Sequence, residues 1–337
     1  MSGPITPPPL RNDCFALPAG VHWTPVDEAL ALLRERLTPV TGCEIVPVSR
    51  AMGRVLADDV VAPRANPPLP NTAVDGYGFA GGRPEGPHFL VLLDERAAAG
   101  PRLATVVPEG QAVRILTGAA LPTGVDTVVL QEDVTVADGQ IAFNGPIKTG
   151  ANTRRAGEDV RKGDVILTAG RRVTAADMAI LAATGADHVA VRVPLRVAVI
   201  STGDELVEAG QSAKQDQIYD ANRPMLLSMI TAMGHVPVDM GRCADDRAAL
   251  SRVLDDATSN ADVVITSGGA SAGDEDHVSS LLTEVGAMQM WRIAIKPGRP
   301  LALGLWNNTP VFGLPGNPVA AMVCTLVFAN PAMAQLA

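Results

Sequence analysis

The four cysteines of this 337-residue chain, Cys14, Cys43, Cys243 and Cys324, show no C-x-x-C spacing. That excludes a zinc cluster or a disulfide framework and suits a reducing, cytoplasmic compartment, where a lone cysteine packs as a small hydrophobe. Basic charge is scarce as well: 27 Lys and Arg stand against 36 Asp and Glu, a formal net charge of −9. Nonspecific nucleic-acid binding needs a net basic surface, so no nucleic-acid partner is expected. No apolar run approaches the ~20 residues that span a bilayer, so no membrane association is expected either. The stretch Met1–Gly20 is rich in proline, with neither a basic start nor a continuous apolar segment; it is not a secretory signal, and residues 1–23 read as a flexible lead-in. There is no G-x-x-x-x-G-K-[ST] loop, which argues against a Walker-type nucleotide hydrolase. The five histidines stand in no motif context, so no Ser-His-Asp arrangement is readable, and there is no internal repeat or low-complexity tract.

What is present is ample for two or three domains. From Thr24, the segment TPVDEALALLRERL puts Val26, Leu30, Leu33 and Leu37 on one helical face. Thr24 is the expected N-cap, Pro25 lies in the first turn and Asp27 follows three residues after the cap. Between about 62 and 162, short apolar runs (HFLVLLD, AVRIL, DTVVLQEDV, QIAF) are separated by Pro and Gly, and Asp138-Gly139 offers a hairpin turn; this is a mostly β module. A strand-like VIL then precedes the helix TAADMAILAAT, which Gly185 can end in the left-handed conformation. The last third alternates strand and helix from RVAVIS to a closing helix near Pro318, predicting a three-layer α/β domain with a largely parallel sheet.

Chemistry concentrates at the strand ends. In DVVITSGGASAGDED a buried strand runs into a turn holding Ser267, Gly268, Gly269, Ser271 and Gly273, then Asp274, Glu275 and Asp276. Glycines let backbone amides approach a ligand, and a following helix N-terminus favours anions. The carboxylates would repel a phosphate unless a hard cation such as Mg2+ bridges them, or they merely complement the helix dipole; Asp276 is the best functional candidate. RVAVISTGDELVE repeats the design with Ser201, Thr202, Asp204 and Glu205, and two such ends in one sheet can face one cleft. Downstream, Asp220, Asn222 and Arg223 are either helix caps or ligand contacts, with Asn222 the expected cap. WRIAIKPGRP places Arg292, Ala294 and Lys296 on one strand face, and Pro297-Gly298 turns Arg299 back to the same end. GLPGNPVAA makes a further tight approach through Gly316 and Asn317. In the β module, Asp75-Gly76, Thr117-Gly118 and the cluster Arg154, Arg155, Glu158 and Asp159 are each weak alone.

Taken together and in order, NTAVDGYGF, ILTGAALPTGVDTVV, GEDVRKGDVIL, STGDEL, QIYDANR, ITSGGASAGDED, IKPGRPLALG and GLPGNPVAA resemble the MoeA/gephyrin-E family over nearly the whole chain. The resemblance implies a molybdopterin molybdenumtransferase, which takes adenylylated molybdopterin and molybdate as substrates and releases AMP with a divalent metal, Mg2+. It implies an elongated homodimer in which the α/β domain of one subunit and the β module of its partner line a shared cleft. The implied layout is an N-terminal helix (24–42) on the α/β domain, a small linker domain (43–61 and 163–189), the β domain (62–162) and a molybdopterin-binding, MogA-like α/β domain (190–337). Matched motifs make Asp75, Thr117, Asp159, Glu205, Asp245, Asp276 and Lys296 catalytic, with Glu205 and Asp276 as metal ligands. Ser267, Gly268, Gly269, Ser271, Arg292, Lys296, Arg299, Gly316 and Asn317 would bind the pterin nucleotide or molybdate. Charge on a leaving phosphate would be offset by metal and by Lys296, with no covalent protein nucleophile. The chain departs from the family pattern at Pro70, Thr72, Val74, Arg292 and Arg299, and the family normally continues past the position of Ala337 into a small C-terminal β domain, expected to be lacking here. Transient partners would be a molybdopterin adenylyltransferase and a cofactor-accepting enzyme. The alternative is a scaffold protein that binds molybdopterin or finished cofactor without metallating it.

Overall fold

The computed structural model describes residues 24–268, 277–284, 289–293, 295 and 300–337; the lead-in expected over 1–23 lies outside them. The chain forms two compact units, one of Glu44–Val191 and one made of the segment ending at Cys43 with Arg192–Ala337.

The first described helix, α1 (Val26–Arg36), buries Ala29 and Leu33 in the core of the second-named unit. Thr24 does not cap it. Pro25 holds the N-cap position, and Thr24 is buried and paired with Ile293 in a parallel bridge. The bridge commits Thr24 to a partner far along the chain, and this tertiary contact displaces the local cap.

In Glu44–Val191, a six-stranded sheet is built from β1 (Gly76–Phe79), β2 (Arg83–Ala97), β3 (Gln111–Ile115), β4 (Thr127–Leu130), β5 (Thr135–Ala137) and β6 (Gln140–Ile147). Its order is β4-β1-β3-β2-β6-β5, antiparallel except for β2 with β3. Alternation along β3 sends Val113 and Ile115 to a cluster with Val125 and Val128, and Ala112 to one with Phe79, Ile141 and Phe143. Asp138 (φ 50°) and Gly139 (φ 72°) make the expected turn between β5 and β6.

A separate small core gathers Val46, Leu56, Leu167, Val173, Val189 and Val191 around Leu181 of α2 (Ala175–Thr184). Thr174 and Asp177 form a capping box, and Gly185 ends the helix at φ 79°. The buried Asp177 carboxylate also accepts from Arg171 Nε at 3.0 Å and from Thr174 N and Oγ1 at 2.8 Å. Those bonds, Arg171 first, hold its pKa at about 2 against an ordinary 3.8. A depressed carboxyl pKa stabilises the fold above the unfolded value and loses that contribution as pH falls through the folded one. Asp177→Asn should therefore lose pH dependence of stability between pH 3.8 and about 2. Urea midpoints followed by circular dichroism across that window check it; a variant as steeply pH-dependent as the parent would contradict the assignment.

The other unit carries β7 (Arg196–Thr202), α3 (Asn222–Ala232), β8 (Val236–Cys243), α4 (Arg247–Asn260), β9 (Val263–Ser267), α5 (His277–Glu284), β10 (Gln289–Arg292), β11 (Pro300–Trp306) and β12 (Thr309–Leu314). The sheet order is β8-β7-β9-β12-β11-β10. The first four strands are parallel and the last two antiparallel. Val197, Val199, Val263 and Ile265 pack with α1 and with Leu226 and Ile230 of α3. Their neighbours Ala198, Ile200 and Val264 pack with Leu250 and Leu254 of α4 and Val278 and Leu282 of α5. This is the three-layer α/β arrangement that the alternating pattern predicts. Burying each such side chain contributes roughly 1.5–3 kcal/mol.

The chain ends in one helical stretch: α6 (Pro318–Cys324), a π-type turn over Thr325–Ala329 and α7 (Asn330–Leu336). Over Pro318–Leu336 it is long and apolar enough to cross a membrane, which a search for unbroken apolar runs overlooks because Thr325, Asn330, Pro331 and Gln335 interrupt it. Half of that helix is buried, with Phe328, Met333 and Leu336 in the α/β core.

Candidate functional site

Asp75 lies between the short strand Asn71–Thr72 and β1. Asp75-Gly76 is not a turn but the entry to β1, where Gly76 pairs with Leu130 and Ile115. A Cβ on Gly76 would lie 2.0 Å from the Val129 carbonyl oxygen, so only glycine admits the neighbouring strand. Thr117, in the turn after β3, donates to Asp75 Oδ1 from both its N–H and its hydroxyl, each at 2.6 Å. The hydroxyl first, then the amide, with Arg114 adding attraction, hold the Asp75 carboxyl below its ordinary pKa. Both bonds use Oδ1. Arg114 itself is turned to Tyr77 (3.0 Å) and Gln131 (2.7 Å). Asp159 is exposed and tied instead to Asn66, which donates to its Oδ2 at 3.4 Å. The segments around 66–72 and 153–160 run side by side, through Asn66 with Val160 and Thr72 with Thr153.

In the α/β unit the carboxyl ends of three adjacent parallel strands, β7, β9 and β12, lie side by side. Ser201 pairs with Ser267, and Ser267 with Leu314. Gly268 donates its N–H to Leu314 O at 3.1 Å. At Gly268 φ is +95°, and a Cβ would meet Thr202 O at 2.6 Å and Thr202 Oγ1 at 2.7 Å. Gly316 approaches Gly268 Cα at 4.0 Å from its own Cβ position. Asn317 caps α6, its Oδ1 accepting from Ala320 N at 3.1 Å.

Glu205 and Asp245 are exposed. Asp245 N donates to Asp204 Oδ1 at 3.3 Å, and Asp245 lines a recess with Thr202, Ala244 and His277, the residue after Asp276. Among the described residues no group of three or more His, Cys, Asp and Glu is poised to hold a metal. Gly269, Ser271, Asp276, Lys296 and Arg299 lie outside the described residues, as does the side chain of Arg292, whose backbone ends β10. The expected alternation of Arg292, Ala294 and Lys296 lies outside the described residues.

Asn222 corrects the expectation made for it. It does not cap α3: its Nδ2 donates to Ser267 Oγ and to Gly316 O, both at 2.7 Å, while Asp220 Oδ1 accepts from Arg223 N at 3.1 Å at the helix start. A buried Asn placed against two strand ends has partners better than its own helix. Arg223 is also more than a cap: its guanidinium holds Asp239 at 2.8 Å, Glu208 at 2.6 Å and Asp220 at 3.2 Å. Those carboxylates, Asp239 first, raise its pKa. Glu208 and Asp239 carried no motif, and no local signal pointed to this clamp.

Residues 24–185 match the model of the MoeA N-terminal region (domain I and II), and residues 198–335 that of a probable molybdopterin-binding domain. A Haemophilus influenzae molybdopterin molybdenumtransferase is 38% identical over 312 residues, covering 92% of this chain and 77% of that protein. Molybdopterin molybdenumtransferase 2 of Mycobacterium tuberculosis is 35% identical over 297 residues, covering 85% and 73%. The crystal structure of a molybdopterin biosynthesis MoeA protein from Pyrococcus horikoshii matches with a TM-score of 0.79 at 30% identity, over 94% of this chain and 79% of that one. With both family models matched in order and the strand-end geometry in place, the chain belongs to the MoeA family of molybdopterin molybdenumtransferases, transferases of molybdenum cofactor biosynthesis.

Proposed function

We propose that this chain inserts molybdate into adenylylated molybdopterin with Mg2+-dependent release of AMP. The observation that carries the reading is the convergence of β7, β9 and β12 at Ser267, Gly268 and Gly316, where the backbone is too close for a Cβ at Gly268. Ligands of parallel sheets bind beyond such ends. The nearby donors are carboxylate oxygens, the chemistry a hard divalent cation takes; Glu205 and Asp276 would hold it, with Asp245 beside them. An ion held there would supply positive charge against the leaving phosphate. Ser267, Gly269 and Ser271 hold ligand oxygens by hydroxyl and amide, with Asn317 at the adjoining turn, and Arg292, Lys296 and Arg299 supply positive charge. Asp75, kept ionised by Thr117, offers Oδ2 to a substrate proton, and Asp159 orients the same ligand. Incubating the protein with adenylylated molybdopterin, molybdate and Mg2+ tests the reading by AMP release. Ligand retained uncleaved would identify a cofactor-binding scaffold instead.

The chain divides into a linker domain (43–61 and 163–189), a β domain (62–162) and an α/β domain (190–337) carrying the helix of 24–42; the separate core around Leu181 supports this. Asp75, Thr117 and Asp159 belong to one unit and Glu205, Asp245 and Ser267 to the other. The working form is a homodimer whose subunits complete each other's sites. Coexpressed Asp75→Asn and Glu205→Gln chains, each inactive alone, should then regain on the order of a quarter of the parental rate, since mixed dimers hold one intact site. No recovery in verified mixed dimers would sink the shared site. Work in the cytoplasm, between an adenylyltransferase and a cofactor-accepting enzyme, fits the buried thiols Cys243 and Cys324. Burial pushes the Cys324 thiol up to about 11, which keeps it protonated.

A further inference from the structure

Ser267, Asn222 and Ser201 form a buried polar patch where α3 begins above the ends of β7 and β9, only 3%, 7% and 0% exposed. Inside a largely apolar core, buried polar groups are costly unless their bonds have a use. Asn222 is the centre of the patch. Its single amide nitrogen reaches Ser267 Oγ on one strand end and Gly316 O on the turn after another, both at 2.7 Å. An amide nitrogen can only donate, so Ser267 Oγ must accept, and its own proton is left for a different acceptor. Among the described residues Ser267 Oγ donates to none. Asn222 Oδ1 is likewise buried without a partner among them, so it does not take that proton.

We propose that Asn222 is a positioning residue for the pterin-nucleotide site, setting the polarity of Ser267 so that its hydroxyl donates to an anionic oxygen of the ligand, a phosphate or molybdate oxygen. The inference rests on the assignment of Ser267 to that site. Asn222 acts on the ligand through Ser267, and its second bond to Gly316 O keeps the two loops at one spacing.

Asn222→Asp provides the test, because it keeps shape and volume but replaces the donating nitrogen by oxygen. Ser267 would then give its proton to the new carboxylate and turn a lone pair to the ligand. Steady-state AMP release should show KM for adenylylated molybdopterin raised about ten-fold or more, with kcat changed much less. Equilibrium binding of molybdopterin, read by pterin fluorescence, should weaken in parallel. Asn222→Ala, measured well below its unfolding temperature, should raise KM less than Asn222→Asp does. Ser267→Ala should raise KM too, and adding Asn222→Asp to it should cost little more. A merely structural Asn222 would instead lower the active fraction and kcat, leave KM alone, and add fully to Ser267→Ala. Ser267→Ala raising KM while Asn222→Asp leaves it unchanged overturns the polarity inference alone. Ser267→Ala with parental KM and binding overturns both the inference and the placement of Ser267 in the site.

Discussion

Asp75→Asn is expected to lower molybdate insertion by about 100-fold or more while leaving the folded state nearly as stable as the parent. An Asn Oδ1 can still accept both 2.6 Å bonds from Thr117, so the turn after β3 keeps its anchor and only the charge is lost. Thr117→Ala acts from the other side. It removes the largest influence holding the Asp75 carboxyl below its ordinary pKa. A carboxylate with a depressed pKa stays charged to lower pH, so losing the donor moves the acid limb of the pH–rate profile upward. Rates of AMP release for both variants, with thermal midpoints as controls, settle the matter. Parental turnover in Asp75→Asn would remove Asp75 from the chemistry.

Gly268→Ala is expected to abolish tight binding of the pterin nucleotide. The added methyl would stand 2.6 Å from Thr202 O, on backbone that cannot give way cheaply, at a φ of +95° that side chains other than glycine rarely adopt. Strain of that kind costs about 1–3 kcal/mol. The turn would relieve it by moving away from β7, carrying Ser267 with it, and a displacement of ~1 Å is enough to lose ~100-fold in rate. Gly316→Ala is the internal comparison, since its methyl would meet only Gly268 Cα at 4.0 Å, an ordinary contact. Affinity measured by pterin fluorescence should separate the two variants widely. Equal affinities would mean that the close approach at Gly268 has no part in binding.

Much of the architecture could be read from local pattern because local physics decides it. The Thr174 and Asp177 capping box, the Asp138-Gly139 turn and the strand-helix alternation after Arg196 each depend on residues within a few positions of one another. Where reading failed, a distant partner had won. Thr24 exchanges a helix cap for a bridge to Ile293, and Asn222 gives up its helix for Ser267 and Gly316. The bond between Thr117 and Asp75 spans 42 positions, and no periodicity announces it. Asp75-Gly76 resembles a turn because that dipeptide commonly makes one, whereas here glycine answers to a carbonyl on the next strand. Candidate site residues were therefore findable by motif, but their bonding was not, since motifs record residue types and not the direction of a proton.

The widened winding at Thr325–Ala329 ties the end of the chain to a single residue, Pro331. Asn330 N–H reaches back to Thr325 O, one residue further than ordinary winding allows. A proline well inside a regular helix would drive its ring against the oxygen four positions earlier, and the slack turn spares it that collision. Deleting one residue from Thr325–Ala329 would tighten the spiral and swing everything beyond it by about 100°. Met333 and Leu336, now inside, would face water, and Pro331 would jam. The extra residue and the proline thus stand or fall together, so length changes at this tail should be far less tolerated than substitutions of its exposed Leu326.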